Sequence, residues 1–275
     1  MLESRTMNDQ ATGLRQIAAR NFATRPHVYP HVITITSGKG GVGKSTIALN
    51  LSLALCAFGK KVLLVDGDTN LGNLDFLLGL APQFQLAHVL RGERDIEDVL
   101  VSAAPHLRLL PGSSGDLEYP HMNPETQRAL VADLKQLEER SDYIVIDTSA
   151  GLSQEIVGYA VHSDETVVVT TPEPTAVMDA YAMIKVIHLT KPDVSIKVVM
   201  NAVRKPAEGD DAAAKLVVAV NRFLKTSFTY LGSIPYDQHV AKSTTHQKAV
   251  FEEFPTSSAS LTVKAIAQRF LDQSV

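Results

Sequence analysis

Gly38-Lys39-Gly40-Gly41-Val42-Gly43-Lys44-Ser45-Thr46 is a glycine-rich loop between two apolar runs. Ahead of it, Val32-Ile33-Thr34-Ile35-Thr36 predicts a buried strand; behind it, Ile47 to Leu55 predicts a helix. Strand, loop and helix together are the context in which G-x-x-x-x-G-K-[ST] reads as a phosphate loop. Glycines let backbone N–H groups close around phosphate oxygens, and the helix N-terminus that follows adds positive potential. The whole stretch from Gly38 to Thr46 is therefore expected to line a nucleotide. In this pattern Lys44 reaches the β- and γ-phosphates, and the Ser45 hydroxyl ligates Mg²⁺.

Composition narrows the setting. A chain of 275 residues, 45% hydrophobic and 20% charged, suits one large α/β domain with a substantial core. The net charge of −4 gives no general attraction to nucleic acid or anionic lipid. The single cysteine, Cys56, lies in the apolar helix after the loop. No internal disulfide, C-x-x-C metal pair or four-cysteine cluster can form from it. Of the nine histidines, His27 and His31 stand four apart, but Pro26 and Pro30 make a helix there implausible, and the rest lack metal-ligand spacing. There is no transmembrane-length apolar stretch and no secretory hydrophobic run, so a cytoplasmic location is expected. Arg5, Arg15, Arg20 and Arg25 resemble the basic residues of a transit peptide, but Glu3 and Asp9 run against that.

Residues 1–31 read as an appendage and 32–275 as the folded domain. In the appendage, Asn8 or Asp9 can cap a short helix that sets Leu14, Ile17, Ala18 and Phe22 on one face. Gly13 weakens that helix by about 1 kcal/mol relative to alanine. Pro26 and Pro30 make a stiff, extended connection to the domain. Periodicity leaves two readings open: a segment that orders against a partner, or a helix docked on its own domain.

Past the loop helix, which Gly59 is placed to end, Val62-Leu63-Leu64-Val65 predicts a second strand, closed by Asp66-Gly67-Asp68. Leu107 to Leu110 predicts a third strand. Pro124 to Arg140 predicts a helix with Leu130, Leu134 and Leu137 on one face. Tyr143-Ile144-Val145-Ile146-Asp147 is an apolar strand ending in an aspartate, the form of a Walker-B element that holds Mg²⁺ across from the phosphate loop. Carboxylates at such strand ends lie on the ligand-binding edge of a parallel sheet. Further strands are expected over Glu165–Thr171, Ile196–Met200 and Phe228–Ile234, and helices over Pro174–Thr190, Asp210–Leu224 and about Ser257–Asp272. The expected fold is α/β: a single doubly wound, mostly parallel sheet of P-loop NTPase type with helices on both faces.

Lys39 refines the class. Lys39-Gly40-Gly41-Val42-Gly43-Lys44-Ser45-Thr46 resembles the deviant Walker A motif, K-G-G-x-G-K-[ST], of the MinD/ParA ATPases. The resemblance implies that two ATP-loaded subunits sandwich face to face and that Lys39 reaches the partner's nucleotide, where its charge stabilises the leaving group. It implies that Asp68 positions the attacking water, making Lys39, Lys44 and Asp68 the catalytic set. Ser45, Asp66 and Asp147 would serve Mg²⁺. Glu173, within Thr171-Pro172-Glu173-Pro174, resembles a contact to the partner's ribose. Asn201 and Pro235, with the turn Ile234 to Asp237, resemble the adenine-binding elements.

Within that family the chain is most similar to the flagellar FlhG/FleN branch. Asp9-Gln10-Ala11-Thr12-Gly13-Leu14-Arg15 matches the motif D-Q-A-x-x-L-R, and Glu173-Pro174-Thr175-Ala176 with Asp179-Ala180-Tyr181 matches a second run. The resemblance implies a slow, dimer-dependent ATPase that controls flagellar number or placement. Asp9, Gln10, Ala11, Leu14 and Arg15 would bind an FlhF-type GTPase; further partners would be a flagellar transcription activator of the FleQ type and flagellar switch-complex proteins. Peripheral membrane association is weakly supported, because the last helix has only Lys264 and Arg269 as basic residues and fits core packing better. The alternatives are a ParA-type DNA-partitioning ATPase, disfavoured by net charge, and a MinD-type division-site regulator. An iron–sulfur carrier is disfavoured by the lack of paired cysteines.

Overall fold

Strands buried on both faces dictate the architecture. In the computed structural model, which describes residues 29–68, 72–112, 122–137 and 141–272, every residue of Val62–Gly67 is buried. Asp9, Gln10, Ala11, Leu14 and Arg15 lie outside the described residues. The strands are β1 (His31–Ser37), β2 (Val62–Gly67), β3 (Val101–Ala104), β4 (Leu107–Leu110), β5 (Tyr143–Ala150), β6 (Glu165–Thr170), β7 (Ser195–Val203) and β8 (Thr229–Pro235). They form one sheet in the order β3-β4-β2-β5-β1-β6-β7-β8, parallel except for the β3–β4 pair.

The longer helices are α1 (Lys44–Ala57), α2 (Pro124–Leu134), α3 (Gln154–His162), α4 (Pro174–Thr190), α5 (Pro206–Ala219), α6 (Gln238–Thr245) and α7 (Ser258–Asp272). Alternate strand residues feed opposite cores. Ile33, Ile35 and Val145 pack with α1 and with Val263, Ile266 and Phe270 of α7. Val32, Ile144 and Ile146 face Leu130 and Leu134 of α2. Val168 and Val198 meet α3, α4 and α5 through Ile156, Ile184 and Leu216. Each such side chain, fully buried, contributes about 1.5–3 kcal/mol before entropy is counted. The doubly wound sheet expected from the alternation is present.

Several boundaries differ from expectation: β5 runs three residues past Asp147 to Ala150, and β7 runs past Met200 to Val203. The helix after Asn123 stops at Leu134, with Lys135 as its C-cap, short of Arg140. Helix α5 starts at Pro206, because proline at the first helical position loses no hydrogen bond, and its last turn continues as a π-turn over Val220–Leu224. Strand β3 was not foreseen: Val-Ser-Ala-Ala is short and only partly buried, and it pairs through the turn at His106 (φ 66°).

Helix α7 is a core element. Val263, Ile266, Ala267 and Phe270 are buried, and Lys197, itself 1% exposed, holds its Nζ 4.4 Å over the Phe270 ring and 2.9 Å from Glu165. Among the described residues no helix is long and apolar enough to cross a membrane.

Candidate functional site

The site begins where β1 runs out. Gly41 (φ 76°) and Gly43 (φ 92°) take the left-handed backbone that glycine tolerates without penalty, and Gly43 is the N-cap of α1. The Ser37 hydroxyl donates to the Lys39 carbonyl at 2.8 Å. The Asn201 amide donates to the Val42 carbonyl at 2.8 Å, and a Cβ on Gly43 would come within 2.4 Å of that amide nitrogen. A Cβ on Gly38 would fall 2.4 Å from the Asp179 carbonyl oxygen, so α4 packs directly on the start of the loop.

Lys44 is buried, and its charge acts on Asp147. Strands β2 and β5 place Asp66 and Asp147 in register as neighbours, which sets their Cα atoms roughly 5 Å apart. Burial pushes the Asp147 carboxyl up to about 8; neighbouring Asp66 adds to this, while Lys44 and the Ser45 hydroxyl oppose it. Burial likewise pushes Asp66 up to about 7, against backbone N–H groups of Leu74, Asp68 and Asn73 that donate to it at 3.1, 3.1 and 2.9 Å. Asp66 therefore ties down the loop after β2, and Gly72 and Gly112 leave it room: a Cβ on either would come within 3.0 Å of its carboxylate. Asp68, half-buried at the end of β2, adds its charge to both.

Asp147 Oδ1 is buried with no hydrogen-bond partner, beside a second carboxylate and the Ser45 hydroxyl. Such an orphaned buried oxygen is costly unless a proton or a cation satisfies it, and a cation would restore the ionised form. A hydroxyl with one or two carboxylates suits Mg²⁺, which completes its shell with water and substrate phosphates. The residues fit the ion.

Lys39 points elsewhere. Its Nζ lies 2.8 Å from Glu173 Oε2 and 3.1 Å from the Thr175 hydroxyl, both at the start of α4. The hydrogen bond from Lys39 holds the exposed Glu173 carboxyl below the usual range. Within one chain the two residues expected to reach a partner are held on each other. Thr175 and Asp179 were part of a recognised run, but its proximity to the phosphate loop was not legible in sequence.

A hollow of about 210 Å³ adjoins the loop, lined by Gly43, Thr46, Asn201, Pro235 and Tyr236. Asn201 and Pro235 thus meet beside the loop. The Arg204 guanidinium lies 4.4 Å over the Tyr236 ring at this hollow. Asp237 secures it: Oδ1 accepts from the His239 N–H at 3.0 Å, and Oδ2 from the Ser258 hydroxyl at 2.9 Å and the Ala259 N–H at 3.1 Å. Burial works to raise this carboxyl, but those bonds outweigh it and hold it well below the ordinary range. One aspartate so fixes the starts of α6 and α7, a role the sequence did not reveal.

A phosphate loop on a parallel sheet, facing a Walker-B aspartate, defines a P-loop nucleoside triphosphatase. Residues 30–200 match the family model described as AAA domain. The chain belongs to the MinD/ParA family of ATPases. It is 39% identical to the antiactivator FleN of Pseudomonas aeruginosa over 86% of this chain and 85% of that protein. It is 34% identical to the flagellum site-determining protein YlxH of Helicobacter pylori, over 86% and 80% of the two chains. Among solved structures, the septum site-determining protein MinD of Pyrococcus horikoshii, complexed with Mg-ADP, superposes with a TM-score of 0.73 at 27% identity. That match covers 88% of this chain and 96% of that one.

Proposed function

We propose that the protein is an ATP-driven, dimerising switch in the cytoplasm that regulates flagellar number or placement, acting on an FlhF-type GTPase and a flagellar transcription activator. The observation that carries this is the division of labour in one loop: Lys44 turned inward to Asp147, Lys39 outward to the exposed start of α4. A catalyst complete in one chain has no need of the outward lysine. Similarity to the antiactivator FleN and to YlxH supplies the flagellar context.

In this reading Lys44 and the loop amides bind the β- and γ-phosphates, and Asn201, Pro235 and the hollow beside them take the base. Ser45 and Asp147, backed by Asp66, would hold Mg²⁺, which would supply positive charge to the phosphates. Asp68 orients a water whose oxygen attacks the γ-phosphorus as the bond to the β,γ-bridging oxygen breaks, giving ADP and phosphate. Lys39, released from Glu173, stabilises that bridging oxygen in the facing subunit. Asp9, Gln10, Ala11, Leu14 and Arg15 present the segment that engages the GTPase.

The test is Asp68→Ala. With saturating ATP and Mg²⁺ it accumulates as a stable dimer by light scattering, because hydrolysis is lost and binding is kept. A protein that stays monomeric under those conditions overturns the switch.

A further inference from the structure

Helices α4 and α5 leave between them an apolar groove of about 870 Å³, lined by Pro174, Val177, Met178, Tyr181, Ala219 and Phe223. Met178 and Phe223 are each 66% exposed, a large apolar outlay for a surface that nothing in the folded core uses. Its rim carries Glu173, Glu208 and Asp211 against Lys215. Each acid also has a lysine nearby: Lys39 at 2.8 Å, Lys205 at 3.9 Å and Lys215 at 2.6 Å respectively.

We propose that this groove is the docking site, within the same chain, of the amphipathic segment 9–22, which lays Leu14, Ile17, Ala18 and Phe22 against Val177, Met178 and Phe223.

Topology supplies the reach. Tyr29 shares a surface hollow with Ala132, Lys135 and Asp164, which puts the entering chain beside the end of α2 on the face that also carries α3, α4 and α5. It enters at the edge where the parallel strands start, and α5 returns to that same edge, bringing Phe223 with it. With α3 and α4 in between, the α4–α5 groove lies about two and a half interhelical spacings from α2, roughly 20–25 Å. The seven residue steps from Phe22 to Tyr29 can reach at most about 23–25 Å. Residues 9–22 as a helix measure about 21 Å, matching the length of α5 beside them.

Charge agrees with this placement. The segment carries Arg15 and Arg20 against Asp9, and these arginines can take over Glu208 and Asp211 from exposed lysines whose surface pairs are exchanged at low cost. With Phe22 at the Phe223 end, Arg15 lies toward Glu173 and Glu208. A docked segment sits against Glu173, the residue that holds Lys39, so docking and face-to-face dimerisation compete. That consequence rests on the switch reading; the docking itself does not.

The experiment uses the full chain without nucleotide or partner, so its outcome is independent of the switch. Met178→Cys introduces a thiol in the groove. Cys56 is buried and its thiol pushed up to about 12, which keeps it silent toward maleimide. The introduced thiol reacts at least about fivefold more slowly than in the same chain carrying Leu14→Asp, Ile17→Asp and Phe22→Asp. The slowing is the same from about 1 to 100 μM protein, as an intramolecular contact requires. Arg15→Glu with Arg20→Glu speeds the reaction, and adding Glu208→Arg with Asp211→Arg slows it again. Equal rates with and without the aspartates overturn the docking. Protection that grows with concentration puts a second copy's segment in the groove and overturns the intrachain assignment. Failure of the charge rescue overturns the placement on this rim.

Discussion

Lys44 is buried beside Asp147, whereas Lys39, earlier in the same loop, is half-buried and held by the exposed Glu173 and Thr175. The inner end is a pre-built charge cluster: two buried carboxylates in register, one oxygen orphaned, a lysine opposite. Its groups are held by burial and by the register of two central strands. The outer end is a solvent-exposed ion pair, the kind that contributes little to stability and is exchanged at low cost. In the switch reading Lys39 changes partners, and such a pair lets it do so. The contrast separates binding, which the fold has fixed, from assembly, which it has left reversible.

The sharpest way to break this comparison is to remove each lysine. Lys44→Ala should weaken ATP binding by at least about 100-fold, the loss of a charge-assisted contact in a desolvated site. Lys39→Ala should bind ATP within about twofold of the parent yet stay monomeric with ATP and Mg²⁺. Isothermal titration and light scattering read the two effects. Equal loss of affinity in both variants would remove the distinction.

Gly38→Ala tests whether the outer end is built on a fixed floor. Its Cβ would meet the Asp179 carbonyl at 2.4 Å, a backbone atom that cannot swing away. We expect destabilisation of about 1–3 kcal/mol, seen in urea unfolding. A neutral effect would mean that α4 moves freely over the loop.

A pH series sharpens the account of the inner end. Asp66 and Asp147 are raised from an ordinary 3.8 to about 7 and about 8. A group whose folded pKa lies above its unfolded value binds its proton more tightly in the native state. Its stabilisation is therefore complete below the unfolded pKa and is lost as pH climbs through the folded one. Without nucleotide, Tm should fall between about pH 5 and 8. Asp147→Asn should flatten that slope, as should ATP with Mg²⁺. An unchanged slope in Asp147→Asn would assign the pH dependence elsewhere.

The smallest effect belongs to Glu173→Ala. Glu173 is exposed, so Tm should not change measurably in the absence of nucleotide.

Local chemistry made much of this legible in advance. The phosphate loop, Asp66 near the end of β2, Asp147 in the second half of β5, and α4 over Pro174–Thr190 all declare themselves by glycine pattern, apolar runs and caps within a few residues. Helices α3 and α6 and strand β3 lie outside the expected elements: α3 and α6 are only nine and eight residues long, and β3 is four residues held by an antiparallel neighbour. Gln127, which donates from α2 to the Glu155 carbonyl at 2.6 Å, and Asp237, which ties α6 to α7, join positions that no local window spans.

The sequence by itself determined that a nucleotide's phosphates are to be held, where the backbone must turn left-handed, and which strands carry an aspartate toward their C-terminal end. These are properties of single residues and their immediate neighbours, set by sterics and periodicity. Only the tertiary structure decided that Asp66 stands beside Asp147, that Asn201 braces Val42, that Lys39 rests on Glu173, and that an apolar groove runs from there along α4. Each depends on strand order and on helices packing across the sheet, and local patterns leave that order undetermined.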